Sequence, residues 1–249
     1  MATLTTNPFA SARLLYRAPE PTDEDETWIL RNLQQEPAIY TQTMWLPHVP
    51  QNRQSAKEYL KFMAEKCAIA VMICVPATPE PAAEGRPGDE VQQSGTTQGS
   101  APAPRSMALE AADAKPIGLI HLSRLPTEQP HHRGAEIGLS IARPYQGQGY
   151  GSEAIDWILD WAFLSGGFHR VGIGAFTYNA GAVRLYRRLG FVEEGRLREV
   201  MWYAGGWEGC VLMGMLEGEW RALREGRKVG EGGGGVRGRV SGGGGEGGR

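Results

Sequence analysis

The chain has 249 residues, and its 26 lysines and arginines nearly balance its 28 aspartates and glutamates, giving a formal net charge of −2. This balance argues against binding to nucleic acid or to an anionic membrane through the overall electrostatic field. Apolar runs are too short to span a bilayer, and residues 1–11 lack the basic start and apolar centre of a signal peptide, so a cytoplasmic protein is expected.

Composition also divides the chain. Residues 77–115 are rich in Pro, Ala, Gly, Ser and Gln, and residues 225–249 are mostly glycine with a few charges. Neither segment buries enough apolar surface to offset its ordering entropy, so both are predicted to be disordered. We therefore predict one domain over residues 11–224, preceded by a flexible N-terminus of residues 1–10. The three cysteines suit a reducing compartment, and their spacing predicts no metal site.

Strands and helices follow from hydrophobic periodicity and from capping residues. After a first strand at 11–17, Thr22 and four acids predict the start of a helix that ends before Pro37. A loop at 40–50 containing Trp45 comes next. The remaining predicted elements are a helix at 54–65, a strand at 67–75, its hairpin partner at 116–123, a central strand at 136–141, a helix at 151–164, a strand at 170–176, a helix opened by Asn179, and a final hairpin of 191–202 with 208–216.

A glycine-rich turn, residues 143–152, joins the central strand to the next helix. Unpaired N–H groups and the helix dipole make such a turn an anion site. No lysine lies in the turn, so it is not a Walker loop. The pattern Gly149-x-Gly151-x-x-Ala154 nearly fits a dinucleotide-binding fingerprint, but no acid lies between Trp161 and Val192 to hold a ribose.

The remaining pattern, Gln146-x-x-Gly149-x-Gly151, resembles the pyrophosphate loop of the GNAT superfamily of acyl-CoA N-acyltransferases. A second block at 179–191, with Asn, a short apolar helix carrying Tyr186, and then Gly-Phe, is similar to the other cofactor segment of that family. The likeness covers residues 11–221. The closing run at 194–220 is similar to the branch that acetylates the N-termini of ribosomal proteins, although Glu208 stands where that branch usually has Asp.

The resemblance implies an α/β (mixed α+β) fold, with a mixed, mostly antiparallel central sheet, splayed central strands and flanking helices. It also implies acetyl-CoA as co-substrate, lying in the gap between those strands. The implied phosphate contacts are the backbone N–H groups of Gln148, Gly149, Tyr150 and Gly151, with Gln146 and Gly147 shaping the approach. The implied contacts to the pantetheine arm are the backbone of Leu139, Ser140 and Ile141, together with Asn179. Trp45 either lines the acceptor pocket or anchors its loop on the core.

The implied reaction is direct attack of a primary amine, on a protein N-terminus or a small molecule, on the acetyl carbonyl. It needs a base for the amine and an acid for the thiolate. Being neutral at pH 7 costs a lysine-like amine about 4.6 kcal/mol but an α-amine only about 1.4 kcal/mol, so an α-amine needs a weaker base. Glu136 is the candidate base, or else a solvated carboxylate. Tyr186 is the acid that the family implies, or else a core aromatic that shares a helix face with Val183 and Leu189.

Two other functions stay open from the sequence. One is a non-catalytic acyl-CoA-binding module, because the cofactor blocks are clearer than the base. The other is a nucleotide-binding oxidoreductase, which the missing ribose acid disfavours. The expected partner is the amine acceptor alone, with no nucleic acid and no membrane, and the expected state is a monomer or homodimer.

Overall fold

The computed structural model describes residues 7–76, 114–125 and 130–232. Its elements in chain order are β1 (Leu15–Arg17), α1 (Asp23–Ile29), α2 (Pro37–Thr43), α3 (Arg53–Lys66), β2 (Cys67–Val75), β3 (Lys115–Leu125), β4 (Gly134–Ile141), α4 (Tyr150–Asp160), β5 (Arg170–Phe176), α5 (Ala180–Leu189), β6 (Val192–Tyr203), β7 (Gly206–Leu216) and α6 (Glu217–Gly232). Five-residue π-helical segments extend α1 and α4, and short 3₁₀ turns lie at Pro130–His132 and Arg143–Tyr145. Among these helices, none is long and apolar enough to cross a membrane.

The strands form one seven-stranded sheet in the order β1-β2-β3-β4-β5-β7-β6. Every neighbouring pair is antiparallel except β4 and β5. These two strands are parallel and pair only through residues 134–136 and 170–172. Beyond Glu136 and Gly172 they separate, which opens a gap in the middle of the sheet. The predicted fold class, a mixed and mostly antiparallel sheet with splayed central strands and flanking helices, is confirmed.

Alternation along the strands places apolar side chains on both faces of the sheet. In β2, Val71 and Ile73 join the larger core cluster, which α4 and α5 cover, whereas Met72 and Cys74 join the cluster beneath α1 and α3. A period of two is the expected pattern for a strand that is buried on both faces. The larger cluster contains side chains of both β4 and β5, among them Ile137 and Ile173, so packing on that face holds the two strands that border the gap.

Three predicted boundaries differ from the structure. The first helical region ends at Gln34, before Pro37 as predicted, but Pro37 also begins a helix that was not predicted, α2, because proline lacks only an N–H that would be unpaired in a first helical turn. Residues 40–43 of the predicted loop are therefore helical. Helix α6 continues to Gly232, past the predicted start of the tail at 225. At the other end Pro8 is already tied down, since its carbonyl accepts a hydrogen bond from Trp157 Nε1 at 3.0 Å.

The predictions for residues 1–6, for most of the 77–115 insertion and for residues 233–249 lie outside the described part of the chain.

Helix α6 is joined to α4 by side chains. Trp220 Nε1 donates a hydrogen bond to Asp160 Oδ1 at 3.0 Å, and Arg224 pairs with both Asp160 and Asp156. Because Trp220 is also part of the larger core cluster, α6 completes the domain.

Candidate active site

The turn after β4 has the backbone that its glycines predict. Gly147 and Gly149 have φ angles of 74° and 84°, in the left-handed region that favours glycine, and Gly149 is the N-cap of α4. The N–H of Glu153 makes the first bond of the helix, to the carbonyl of Gly149 at 3.1 Å. The N–H groups of residues 149–152 therefore have no partner within the helix and are free to bind an anion.

Two glutamine side chains brace this turn. Gln146 Nε2 donates to the Ile141 carbonyl at 2.9 Å, and Gln148 Nε2 donates to the Pro144 carbonyl at 2.8 Å. Both amides are thus engaged with the backbone of the turn itself. Gln146 thus holds the backbone where β4 enters the turn. The phosphate contacts predicted for Gln148 and Tyr150 involve only their backbone N–H groups.

A cavity of about 390 Å³ lies against the turn. It runs between β4 and the N-terminal end of α5, and most of the residues predicted to hold a cofactor line it. These are Leu139, Ser140, Ile141, Gln146, Gly147, Gly149, Gly151 and Asn179. The structure therefore brings the two sequence blocks to one cavity, and we refer to it as the cofactor cavity.

The backbone of β4 is open toward this cavity at alternate residues. The N–H of Ala142 donates to the Ile117 carbonyl at 2.8 Å, and successive residues of an antiparallel ladder point their backbone groups to opposite sides. Leu139 and Ile141 consequently face the gap, where β5 no longer pairs. Ser140 faces β3, opposite Leu119. The prediction that all three residues offer backbone groups to a ligand therefore needs correction, because the backbone groups of Ser140 are directed to β3.

Asn179 caps α5, and its side-chain oxygen accepts a hydrogen bond from the Ala182 N–H at 3.1 Å. Its amide nitrogen lies 3.5 Å from Gln42 Oε1 on α2. Because Gln42 and Asn179 both line the cofactor cavity, this contact joins the two helices that border it. Asn179 therefore caps α5 and also lines the cofactor cavity.

A second cavity, of about 290 Å³, lies on the other side of β4. Its lining includes Trp45, Tyr59, Phe62, His121, Glu136, Phe176 and Cys210. The residues that line both cavities are Gln42, Thr43, Leu139, Ser140 and Tyr186. The two cavities thus meet at these residues, and we call the second one the acceptor cavity.

Tyr186 lies at this junction. Its side chain is part of the larger core cluster, and only 8 % of its surface is exposed. Tyr186 is therefore a core aromatic, which was one of the two roles considered from the sequence. Burial raises the pKa of its hydroxyl to about 12, which keeps the proton on the oxygen at neutral pH. The residue is therefore a core aromatic that also lines both cavities.

Glu136 is at the last paired position of β4, where the sheet divides. Burial raises the pKa of its carboxyl group, so the residue is not the solvated carboxylate that the sequence left open. Cys210 lies nearby, and its own pKa is raised first by burial and further by the charge of Glu136. A half-buried carboxylate with a raised pKa is suited to accept a proton near neutral pH.

Trp45 lies at the rim of the acceptor cavity. More than half of its surface is exposed (54 %), and its ring meets that of Phe176 edge to face, with a centroid distance of 4.9 Å. Trp45 thus lies at the cavity rim and also packs on Phe176, and its contact with an acceptor stays a prediction. Of the described residues, no group of three or more His, Cys, Asp or Glu side chains could hold a metal ion.

The chain matches one known protein family over most of its length. The acetyltransferase (GNAT) domain matches residues 13–192. The chain belongs to the GNAT acetyltransferase family. The matched range contains both sequence blocks, and the predicted membership of the superfamily is confirmed.

The curated relatives whose names state an acceptor point to two different acceptors, and other relatives are named only as N-acetyltransferases. A spermidine N(1)-acetyltransferase of Vibrio cholerae is 32 % identical over 118 residues, which are 47 % of this chain and 66 % of that protein. A putative ribosomal N-acetyltransferase of Bacillus subtilis, YdaF, is 32 % identical over 108 residues, which are 43 % of this chain and 57 % of that protein. The chain thus spans about half to just under two thirds of the length of the curated relatives it matches.

A solved GNAT structure gives the same architecture. The crystal structure of spermidine N-acetyltransferase from Vibrio cholerae in complex with CoA and spermine aligns with a TM-score of 0.60 at 23 % identity. The alignment covers 85 % of this chain and 99 % of that one. This likeness shows a shared fold.

Sequence reasoning missed two residues of this GNAT site, Arg13 and His121. Arg13 ion-pairs with Glu153 on α4 at 2.8 Å, donates to the Gln148 carbonyl at 3.1 Å, and stacks over the Tyr150 ring. His121 lines the acceptor cavity from β3. No local motif marks Arg13. The one signal for His121 was a lone ionisable residue within the apolar run of a predicted strand.

Burial lowers the pKa of His121 to about 4, so its ring is neutral at physiological pH. Its Nδ1 lies 3.5 Å from Cys67 Sγ, and the rings of Tyr59 and Phe62 meet it edge to face. A neutral imidazole packed in this way is part of the cavity wall. It adds no positive charge that would repel an ammonium group.

Proposed function

We propose that this GNAT protein transfers an acetyl group from acetyl-CoA to a primary amine. The observation that carries the proposal is the meeting of the two cavities at Tyr186, with Glu136 on the acceptor side and the glycine turn on the cofactor side. A thioester held in one cavity and an amine held in the other would come together at that junction.

The cofactor cavity has donors suited to coenzyme A. The free N–H groups at the start of α4 would hold the diphosphate, and the glycines keep side chains out of its path. The open backbone of Leu139 and the N–H group of Ile141 would bond the amide groups of the pantetheine arm, since the Ile141 carbonyl already accepts a hydrogen bond from Gln146. When bound, acetyl-CoA supplies the activated acetyl group, and the roles that follow belong to residues of this chain.

Glu136 would take the proton that the amine loses, either directly or through a water molecule. The amine nitrogen forms a bond to the acetyl carbon, the carbon–sulfur bond breaks, and the amine proton ends on the sulfur, so the products are an amide and a free thiol. A tyrosine with a pKa of about 12 is a weaker acid than a thiol, whose pKa is about 8.5. Tyr186 would therefore stabilise the leaving sulfur mainly as a hydrogen-bond donor.

The proposal is tested by calorimetry with coenzyme A and by release of free thiol when acetyl-CoA and a mixture of primary amines are added. Saturable coenzyme A binding together with amine-dependent thiol release, and an acetylated product in the mass spectrum, are expected. Binding without thiol release would favour the non-catalytic acyl-CoA-binding module. Absence of binding would contradict both functions.

The acceptor could be a protein N-terminus or a small amine. Relatives named for ribosomal proteins and for spermidine have comparable identity to this chain, so their names do not choose between these acceptors. The choice has to come from the acceptor cavity of this chain.

A further inference from the structure

The acceptor cavity is lined by aromatic rings and by polar side chains in comparable measure, and this inference about its substrate rests on the function proposed above. Its lining combines five Trp, Tyr and Phe rings with small residues. The rings are those of Trp45, Tyr59, Phe62, Phe176 and Tyr186, and the small residues include Gly138, Gly174 and Ala175. Such a lining gains free energy by burying an apolar or aromatic group of the acceptor, and its rings also attract a single cation.

Charge is scarce in this cavity. Among the described residues that line it, Glu136 is the one acidic side chain, His121 is neutral, and no lysine or arginine takes part. The cavity can therefore balance one ammonium group. A second ammonium group inside it would be buried without a partner, which is costly.

Carboxylates along α3 do not change this balance. Glu58 accepts a hydrogen bond from Gln54 at 3.1 Å, and Glu65 ion-pairs with Lys61 at 3.8 Å. Both lie on the exposed surface of the helix and outside the cavity lining. An ammonium group that reached them would be in water, where ion pairs contribute little and are screened by salt.

We infer that the acceptor is a primary monoamine that carries an apolar or aromatic group near its nitrogen, and that polyamines are poor acceptors. A small arylalkylamine and the N-terminus of a peptide that begins with a large apolar residue share this chemistry. In both, one ammonium group meets Glu136 while the neighbouring apolar group packs on the rings. This acceptor class differs from the spermidine for which several relatives are named.

Binding of three amines to the CoA-saturated full-length protein tests the inference. The probes are phenethylamine, a short peptide beginning with phenylalanine, and spermidine, measured by calorimetry at constant ionic strength. At least one of the first two is expected to bind about tenfold more tightly than spermidine. Their order distinguishes a small-molecule acceptor from a peptide. Equal or tighter binding of spermidine, or no binding of any amine, would overturn the inference.

A pair of variants adds a sharper test at the rim. The Phe62 side chain is 39 % exposed, so the fold should tolerate a polar residue there. Phe62→Glu adds a second carboxylate to the cavity, and Phe62→Gln is its neutral match. Spermidine is expected to bind Phe62→Glu about tenfold more tightly than Phe62→Gln, with phenethylamine changing much less. Equal spermidine affinities would contradict the charge argument. Because this is a binding measurement, it stands apart from the thiol-release test of the proposed function.

Discussion

The imidazole of His121 occupies the space that a side chain at Gly138 would fill. The two residues are opposite each other in the β3–β4 pairing, and a Cβ atom built on Gly138 would lie 2.2 Å from His121 Nε2. The rings of Tyr59 and Phe62 hold the imidazole on its outer side, with centroid distances of 6.3 and 5.7 Å. Because Gly138 on β4 has no side chain, the buried ring of His121 on β3 has room to form part of the acceptor cavity.

Gly138→Ala should therefore destabilise the protein. The added methyl group has to displace a ring that is held between two aromatic side chains, and overpacking of this kind costs about 1 to 3 kcal/mol. Urea unfolding measures the loss. In a His121→Ala background the same change should be nearly neutral, because the methyl group then enters empty space. Equal costs in both backgrounds would show that the contact does not matter.

Gly151→Ala should weaken coenzyme A binding and leave the fold intact. A Cβ atom there would make an ordinary contact of 3.6 Å with Leu139 Cδ2, and alanine is the better helix former. The methyl group would nevertheless lie at the wall of the cofactor cavity. We expect the dissociation constant to rise by about tenfold with no fall in melting temperature. Gly218→Ala on α6, where a Cβ meets nothing within 4 Å, is the control and should not affect binding.

Tyr186→Phe should lower the turnover number by about 100-fold, within the range attributed to one proton-transfer or hydrogen-bonding group. Because the ring stays in the core, the coenzyme A affinity and the stability should be unchanged. Tyr145→Phe is the matched control, since Tyr145 lines the cofactor cavity but not the acceptor cavity. Steady-state thiol release checks both variants. If Tyr186→Phe turned over as fast as the wild type, the hydroxyl of Tyr186 would have no role in the reaction and the residue would serve only in the core.

Ionisation of Glu136 should produce the acidic limb of the pH–rate profile, which is the range in which kcat/KM rises with pH. Its carboxyl group must be ionised to accept a proton, and burial raises its pKa, so kcat/KM should climb with pH through a value above the ordinary glutamate pKa of about 4.3. Glu136→Gln should lower the rate and remove this limb. Rate profiles of both proteins between pH 4 and 9 test the assignment. A variant that keeps the limb would require another base.

The same carboxyl group should affect stability with a defined sign. A group whose pKa is raised by folding stabilises the protein below its unfolded pKa, and this stabilisation is lost as the pH rises through the folded pKa. The free energy of unfolding of Glu136→Gln, relative to wild type, should therefore increase between pH 4 and pH 7. Urea unfolding at the two pH values measures this difference. A decrease would mean that the pKa of Glu136 is not raised.

Glu153→Gln should loosen the turn that bears the anion site. Burial alone would raise the pKa of Glu153, but hydrogen bonds from Ser11 and Arg13 outweigh it and lower that pKa. The stabilisation is therefore present above the unfolded pKa and is lost as the pH falls. We expect a cost of about 1 to 2 kcal/mol at pH 7 and less at pH 3.5. Glu65→Gln, which removes an exposed ion pair with Lys61, should cost far less at either pH.

Local pattern was enough to predict much of the fold. The strands at 67–75 and 170–176 have the predicted bounds, because each is an apolar run bounded by residues that end strands. The two sequence blocks, through their resemblance to a known family, were also enough to predict residues that the structure brings to one cavity. Location in the cytoplasm and the oligomeric state stay predictions from sequence.

The acceptor side depends on contacts that no local pattern encodes. His121 meets Cys67 across 54 positions of sequence, and Arg13 meets Glu153 across 140. Whether a buried histidine is a wall or a base is decided by the residues that happen to surround it. Helix α2 was missed for a local reason, because proline was read as a stop when it is equally suited to a first turn.

The gap between β4 and β5 has a consequence for the protein without its ligand. Leu139 and Ile141 direct peptide groups into an opening at the centre of the sheet, where they resemble the outermost strand of an ordinary sheet, which is the kind of surface that recruits other chains and aggregates. Helices α2 and α5 border the opening and restrict access to it. A ligand with amide groups of its own would act there as a missing strand, so that binding the substrate would also cover these peptide groups.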